Sequence, residues 1–385
     1  MRQPEGFSDG TSRPCRLFLS LYGLKQASFK WNEHMDGGLK SVNFEPISAD
    51  PAVYSRHTDS GTVFLAIHVD NFLSFGSTQE ALQKARSDLH SLFEMKEENP
   101  NWVMGFELID NPMTKTVMIS HRQYIETILQ RFGMDSSNPQ RIPVDPKCTL
   151  TMDEDAKPEK DYPYRKLVGA ITWISQISRP DIAYAACYLG QFSANPGPEH
   201  WNAAKRVLRY LSGTRNSHLV LGGESVDPTS LVVYSDADWA RDVVDRRSVS
   251  GYIVQLGSAT VSWSSKKQHT VTTSSTESDY LALSYTAKQG LWIRMFLSQI
   301  GVALPLPTVI FGDNTGSISI AKAARHHSRT KHIDVHHHFI WEKVKDKIFT
   351  LLHVRTDDQL ADICTKPLPF PQFSHLLRQL GITFT

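Results

Sequence analysis

Leu231–Ala240 reads LVVYSDADWA. Four apolar or aromatic residues and a serine lead into Asp236, and Asp238 follows two places on. Side chains on a β-strand alternate between faces, so these two acids share one face. Ionised carboxylates at the end of an apolar strand lose hydration and repel each other unless a cation lies between them. Further acids stand where elements begin or end. Glu277 opens a long amphipathic pattern, Asp313 closes the strand-like run Pro307 to Gly312, and Asp362 lies in a run beginning Gln359-Leu360-Ala361. Four carboxylates from four elements form the donor set that a two-metal phosphodiesterase site needs.

The 385 residues suggest two or three domains. With 40% hydrophobic and 21% charged residues, the composition is that of an ordinary globular protein. A net charge of +1 favours no class of partner. From Thr229 onward, 17 Lys and Arg face 13 Asp and Glu, a mildly basic balance too small to establish nucleic-acid binding. The four cysteines, Cys15, Cys148, Cys187 and Cys364, stand far apart, so no disulfide framework or cysteine zinc site is read from them. The chain has neither a signal-peptide core in its first thirty residues nor an apolar run of about 18 residues. An intracellular protein, cytoplasmic or nuclear, that does not span a membrane is expected.

Taken in order, Met1 to Arg13 reads as a polar tail, and the stretch from Cys15 reads as a short strand followed by a helix. Two strand-like runs flank the turn cluster Ser55 to Gly61. The second, Thr62 to Phe75, carries apolar residues on both sides of Asp70, which predicts a hairpin with that acid at its tip. A helix from Thr78 to Met95, two strands and a helix from His121 to Phe132 follow. A Pro-, Asp- and Lys-rich linker then leads to a helical stretch, Tyr164 to Thr214, broken at Ser178-Arg179-Pro180 and Asn195 to Pro198. From Leu231 the expected order is three strands, a long helix from about Thr276 to Ile300, strand, helix, helix, strand, helix. That predicts a mixed sheet covered on both faces.

Two sets of motifs then resemble a known family. LYGLKQA (Leu21–Ala27) with Trp31, ADPAVY (Ala49–Tyr54) and HVDN (His68–Asn71) are similar to the middle of copia-type retrotransposon reverse transcriptases. In that family the hairpin tip reads Tyr-Val-Asp-Asp and its aspartates hold magnesium. Here His68 and Asn71 depart from it, and the earlier palm strand and fingers are absent from the sequence. Asn71 is a poor replacement for an anionic ligand of a hard cation, so Asp70 and Asn71 form a degenerate polymerase motif without expected activity. SDADWA (Ser235–Ala240), SWSSKKQ (Ser262–Gln268), SSTESDYLAL (Ser274–Leu283), FGDN (Phe311–Asn314), TKHIDVHHHFI (Thr330–Ile340) and QLADICTKPL (Gln359–Leu368) resemble the ribonuclease H domain of the same elements.

The resemblance implies α/β and α+β architecture. A ribonuclease H-like mixed five-stranded sheet of order 3-2-1-4-5 is preceded by a partial palm and thumb and a helical connector. The expected parts are a truncated palm (1–75), a thumb-like segment (76–133), a linker (134–163), a connector (164–228) and a ribonuclease H domain (229–385). The implied activity is Mg²⁺-dependent cleavage of the RNA strand of RNA–DNA hybrids, with two ions, Mn²⁺ being an alternative. Asp236, Glu277, Asp313 and Asp362 fall at the metal-binding acids. Glu277 also completes an S-x-x-E capping box with Ser274, Asp313-Asn314 could cap the next helix, and Asp362 has acidic neighbours in Asp357 and Asp358. Asp238 and Asp279 are read as supporting or solvated acids.

Lys266 and Lys267 beside Trp263, and Lys322, Arg325, Arg329 and Lys331, suggest basic edges toward phosphate. Lys205, Arg206 and Arg209 read as a solvated helix face or as backbone contacts. The histidines His326, His327, His332, His336, His337 and His338 include an i, i+4 pair, but the family carries no zinc there. The loop Arg355 to Asp358 lacks the histidine that cellular ribonucleases H often place before the last helix. Other readings are a non-catalytic RNA- or hybrid-binding remnant and a fragment that associates with an intact retroelement polymerase.

Overall fold

A computed structural model describes residues 3, 6–7, 9–11, 13–18, 21, 23–98, 101–152, 162–223, 227–242, 244–323 and 334–383, with side chains at 334–337 excepted. The chain divides into two compact units, Met1–Glu97 with Gln299–Gly301, and Glu98–Ser298 with Val302–Thr385.

In the first unit, α1 (Ala27–Ser41) precedes β1 (Glu45–Ile47), β2 (Asp50–Thr58), β3 (Gly61–His68), β4 (Asn71–Gly76) and α2 (Gln79–Leu92). The strands form an antiparallel meander in sequence order. Met35 and Leu39 of α1 and Ala81, Ala85 and Leu89 of α2 pack with Tyr54, Val63 and Leu65 of the sheet. The i, i+4 spacing of Ala81, Ala85 and Leu89 puts them on one face of α2. Thr78 caps that helix, its Oγ1 accepting from Ala81 N at 3.2 Å. The expected hairpin forms: His68 pairs with Asn71, leaving Val69 and Asp70 at the turn. Among the described residues the strand expected after Cys15 does not form: Arg13–Leu17 is irregular, and the first regular element is α1.

The second unit begins with β5 (Trp102–Val103), β6 (Phe106–Asn111), β7 (Thr116–Ser120), α3 (Arg122–Arg131), α4 (Tyr164–Ile177), α5 (Ala183–Gly190) and α6 (Pro198–Gly213). Next come β8 (His218–Gly222), β9 (Leu231–Asp238), β10 (Val249–Leu256), β11 (Ala259–Lys267), α7 (Ser275–Gln299) and β12 (Thr308–Gly312). The C-terminal part holds α8 (Thr315–Lys322), α9 (Asp334–Lys345), β13 (Phe349–His353), α10 (Phe370–Gln379) and β14 (Ile382–Thr383). The helical breaks at Arg179-Pro180 and Pro196 to Pro198 fall where proline predicts them.

Two sheets result. One has the order β11-β10-β9-β12-β13, with β10 antiparallel to both neighbours and β9, β12 and β13 parallel. This is the 3-2-1-4-5 order expected of a ribonuclease H-like sheet. Gly290 of α7 lies so near the sheet that an added Cβ would stand 3.3 Å from the Phe349 ring and 3.7 Å from Val233.

The other sheet, β14-β8-β7-β6-β5, was not expected as a unit. It joins strands of the thumb-like segment to β8, just before the nuclease part, and to β14 at the C-terminal end. One apolar core runs from Ile125 through Ile171, Leu208 and Leu219 to Ile363, Phe373 and Leu380. Compaction therefore does not follow the boundaries at 133/134, 163/164 and 228/229, because short strands far apart in sequence complete each other's hydrogen bonding. The first part of the expected linker is held by side chains of α6: Arg209 Nε donates to Asn138 O at 2.7 Å, and Arg206 lies 3.7 Å from Asp145.

A closed polar network fixes the connector within this core. Buried Arg179 donates Nε to Asp181 Oδ1 at 2.9 Å and Nη2 to Asp181 Oδ2 at 2.7 Å. It also reaches Thr214, and Tyr210 Oη donates to Asp181 Oδ2 at 2.6 Å. Bidentate pairing with further hydrogen bonds is what makes a buried ion pair tolerable.

Candidate metal centre

β9 is the middle strand of its sheet and runs parallel to β12. Tyr234 pairs with Phe311, so the register carried two residues further sets Asp236 opposite Asp313. Carboxyl ends of neighbouring parallel strands are where α/β sheets gather functional groups. The third acid comes from α7, and it is Asp279. Asp236, Asp279 and Asp313 each offer a carboxylate oxygen within 4.8 Å of the others.

Glu277 does not belong to that group. Its Oε2 accepts from Thr273 N and Thr273 Oγ1, both at 2.8 Å, while Ser274 Oγ accepts from Glu277 N at 3.2 Å. These bonds tie the carboxylate to the start of the helix, as the capping pattern allows. The sequence held a signal for Asp279. It stands four residues before Leu283, and so continues the face on which Leu283 and Ala287 are buried.

Neighbouring groups orient each acid. Asp279 accepts from Ala237 N at 3.0 Å and from Asn314 Nδ2 at 2.8 Å, and Asn314 Oδ1 also caps α8 through Ser317 N. Thr356 Oγ1 donates to Asp313 Oδ2 at 3.2 Å, and Thr365 Oγ1 donates to Asp236 Oδ2. Burial, then the charges of Asp236 and Asp313, push Asp279 up to about 8. Asp313 is also raised, by burial and then by Asp236. Carboxylates this close hold protons when no cation neutralises them. Hard anionic oxygens converging from three elements suit a divalent ion such as Mg²⁺.

Asp362 lies in the short 3-10 segment Leu360–Cys364, wholly buried. Gly251, paired with Asp236 across β9 and β10, lets that segment approach. A Cβ on Gly251 would come within 2.6 Å of Thr365 Cγ2 and 2.9 Å of Cys364 Cβ. Lys366 Nζ stands 2.9 Å from Asp362 Oδ1 and 3.6 Å from Asp236 Oδ2. Burial and then Asp236 raise Asp362, while Lys366 opposes them. Burial works against the Lys366 ammonium, but Asp236 and Asp362 outweigh it and hold the group above its usual range. Asp238 is outside the cluster and 3.5 Å from Arg241.

The basic positions divide. Lys266 Nζ lies over the Tyr285 ring, 5.4 Å from its centroid. Lys267 Nζ is 2.5 Å from Asp242 and 3.0 Å from Asp245, so its charge is already matched. Trp263 donates its indole N–H to Ser175 O at 2.6 Å and packs against the core. Lys322 is exposed at the last turn of α8. Arg325, Arg329 and Lys331, with His326, His327 and His332, lie outside the described residues, as do the side chains of His336 and His337. In the first unit, Asp70 and Asn71 are exposed at the hairpin, and Trp31 Nε1 donates to Val69 O at 2.7 Å.

Residues 1–146 match the family described as reverse transcriptase (RNA-dependent DNA polymerase). The putative transposon Ty5-1 protein YCL074W of Saccharomyces cerevisiae is 30% identical over 296 residues, covering 75% of this chain and 94% of that protein. The Pol polyprotein from transposon TNT 1-94 of Nicotiana tabacum is 35% identical over 99% of this chain, and that from RE1 of Arabidopsis thaliana 36% identical over all of it. The chain belongs to the copia-type retrotransposon Pol polyproteins. This Pol fragment spans 29% of the TNT 1-94 polyprotein and 26% of the RE1 polyprotein. A solved structure, LC11-RNase H1 from compost, is similar over 36% of the Pol fragment and 93% of that chain, at 13% identity and TM-score 0.28. The strand order above carries the fold assignment. Among the described residues, no helix is long and apolar enough to cross a membrane.

Proposed function

We propose that the second unit of this Pol fragment is a ribonuclease H-type endonuclease that cleaves the RNA strand of RNA–DNA hybrids with a divalent metal. The observation that carries this reading is the convergence of Asp236, Asp279 and Asp313 from two parallel strand ends and one helix. Bound there, Mg²⁺ or Mn²⁺ would supply charge neutralisation at the phosphodiester and an activated water. The chain's own part is to hold the acids in place. Ala237 N–H and Asn314 fix Asp279, Thr356 fixes Asp313, and Thr365 fixes Asp236. Among the described residues of the expected basic edges, Lys266 and Lys322 form no ion pair with an acid, and they are assigned to phosphate contacts; Lys267 is not.

The first unit is assigned no polymerase activity, since the hairpin tip offers the neutral amide of Asn71 beside Asp70. A labelled RNA–DNA hybrid incubated with the full chain tests the nuclease reading. Cleavage in Mg²⁺ that stops in EDTA and in Asp236→Asn is expected. Intact hybrid under all conditions would leave a binding remnant as the better account.

A further inference from the structure

Between Asp236 and Asp362, the place of a second cation is already taken by a side chain. Lys366 Nζ lies 2.9 Å from one carboxylate and 3.6 Å from the other. It follows Asp362 by four residues, and its side chain is about one quarter exposed while those of Asp236 and Asp362 are buried. A divalent ion binding both carboxylates at roughly 2.1 Å would need the space that the ammonium fills. Of the three acids Asp236, Asp279 and Asp313, Lys366 pairs with Asp236 and its charge acts on Asp313, but among the described residues neither Asp279 nor Asp313 has an ion pair with a cationic side chain. The acids therefore divide into a pair closed by a lysine and a trio that shares Asp236 with it.

We propose that Lys366 is a built-in counter-cation, so that the centre takes one divalent ion, at Asp236, Asp279 and Asp313, instead of the two expected from the sequence. This inference rests on the metal-dependent reading above. Lys366 acts through Asp236 and Asp362, as a positioning residue. The ammonium, 2.9 Å from Asp362 and 3.6 Å from Asp236, holds the two side chains together, a task that an ion would otherwise perform.

Counting Mn²⁺ bound per full-length chain, by electron paramagnetic resonance with equilibrium dialysis, tests the proposal. The wild type should bind one Mn²⁺ at the centre, and Lys366→Ala, which removes the charge and opens the space, should bind two. Asp362→Asn in the wild-type background should change the affinity of the single ion less than threefold, whereas Asp279→Asn should weaken it at least tenfold. Two ions in the wild type, one ion of unchanged affinity in Lys366→Ala, or a tenfold loss in Asp362→Asn would each overturn the proposal while leaving a metal nuclease in place. No bound ion in the wild type would overturn both. If Lys366→Ala does not fold, the wild-type count and the Asp362→Asn affinity still decide.

Discussion

Replacing Asp279 by Asn separates the two helix acids, because Glu277 and Asp279 do different work at the start of α7. In the unfolded chain an aspartate ionises near 3.8, whereas Asp279 in the folded, metal-free protein ionises at about 8. The folded state therefore binds the proton more tightly, and stability falls as pH rises from about 4 to about 8. At about 1.36 kcal/mol per pKa unit, the interval from 3.8 up to neutral pH corresponds to roughly 4 kcal/mol. Small movements and water entry reduce that figure. An amide at position 279 also loses acceptance from either Ala237 N or Asn314 Nδ2, at about 1 kcal/mol. Asp279→Asn should then stabilise the protein in EDTA by about 1–3 kcal/mol at neutral pH.

Magnesium reverses the order. A ligand that binds only the folded state at about one hundred times its dissociation constant adds roughly 2.7 kcal/mol. The wild type should show such a gain and Asp279→Asn should lose most of it. Glu277→Gln should cost about 1 kcal/mol equally in EDTA and in Mg²⁺, since it weakens the bonds to Thr273 at the helix start. Thermal melting of the three proteins, with and without Mg²⁺, is the assay. If Glu277→Gln abolishes the Mg²⁺ gain and Asp279→Asn retains it, the assignment of the helix acid is wrong.

Three further outcomes follow from the same geometry. Gly251→Ala forces a Cβ against Thr365 and Cys364, so it should cost about 1–3 kcal/mol in urea unfolding and reduce hybrid cleavage further than its folded fraction explains. His121, buried with Nδ1 2.6 Å from Ser178 Oγ, is held down to about 4 by burial and then by Arg179. The unfolded state gains its proton first as pH falls from about 6.5 toward 4, so stability should drop by roughly 3 kcal/mol over that window, and His121→Phe should flatten the acid limb of a stability–pH curve. A fragment starting at Ser217 loses β7 from beside β8 and exposes Phe373, Leu376 and Leu380, and it should melt without a cooperative transition where residues 98–385 melt as one. A sharp transition from that fragment alone would show that the shared core is dispensable.

The legible part of the sequence was the part with strong local periodicity. LVVYSDAD, the i, i+4 stripe of α7 and the proline breaks of the connector each fix an element, and the order of strands and helices then leaves few topologies. Asp236 and Asp313 were legible for the same reason, as both end parallel neighbours in one sheet. Asp279 reads in the sequence as a supporting or solvated acid, because the family resemblance implies Glu277, two residues earlier, at the start of the same helix. The second sheet was hidden for another reason. β8 and β14 are five and two residues long, and pairing across more than 150 residues leaves no local trace. Lys366 did leave one, as a base four residues after Asp362, but spacing alone does not say that the pair is buried against a third charge.

The segment Leu360–Cys364 links these observations. Leu360, Ile363 and Cys364 belong to the core shared with the connector, while Asp362, between them, reaches Lys366 beside Asp236. A five-residue 3-10 turn cannot hold that geometry by its own hydrogen bonds, which are few and poorly aligned. Its placement comes from Gly251 on one side and from the connector residues on the other, among them Ile182, whose 3-10 turn is fixed by the Arg179–Asp181 pair. The connector thus has a chemical role as well as a packing one: weakening it should disturb the Asp362–Lys366 side of the centre before it disturbs Asp279 and Asp313, which are held by α7, β12 and Asn314.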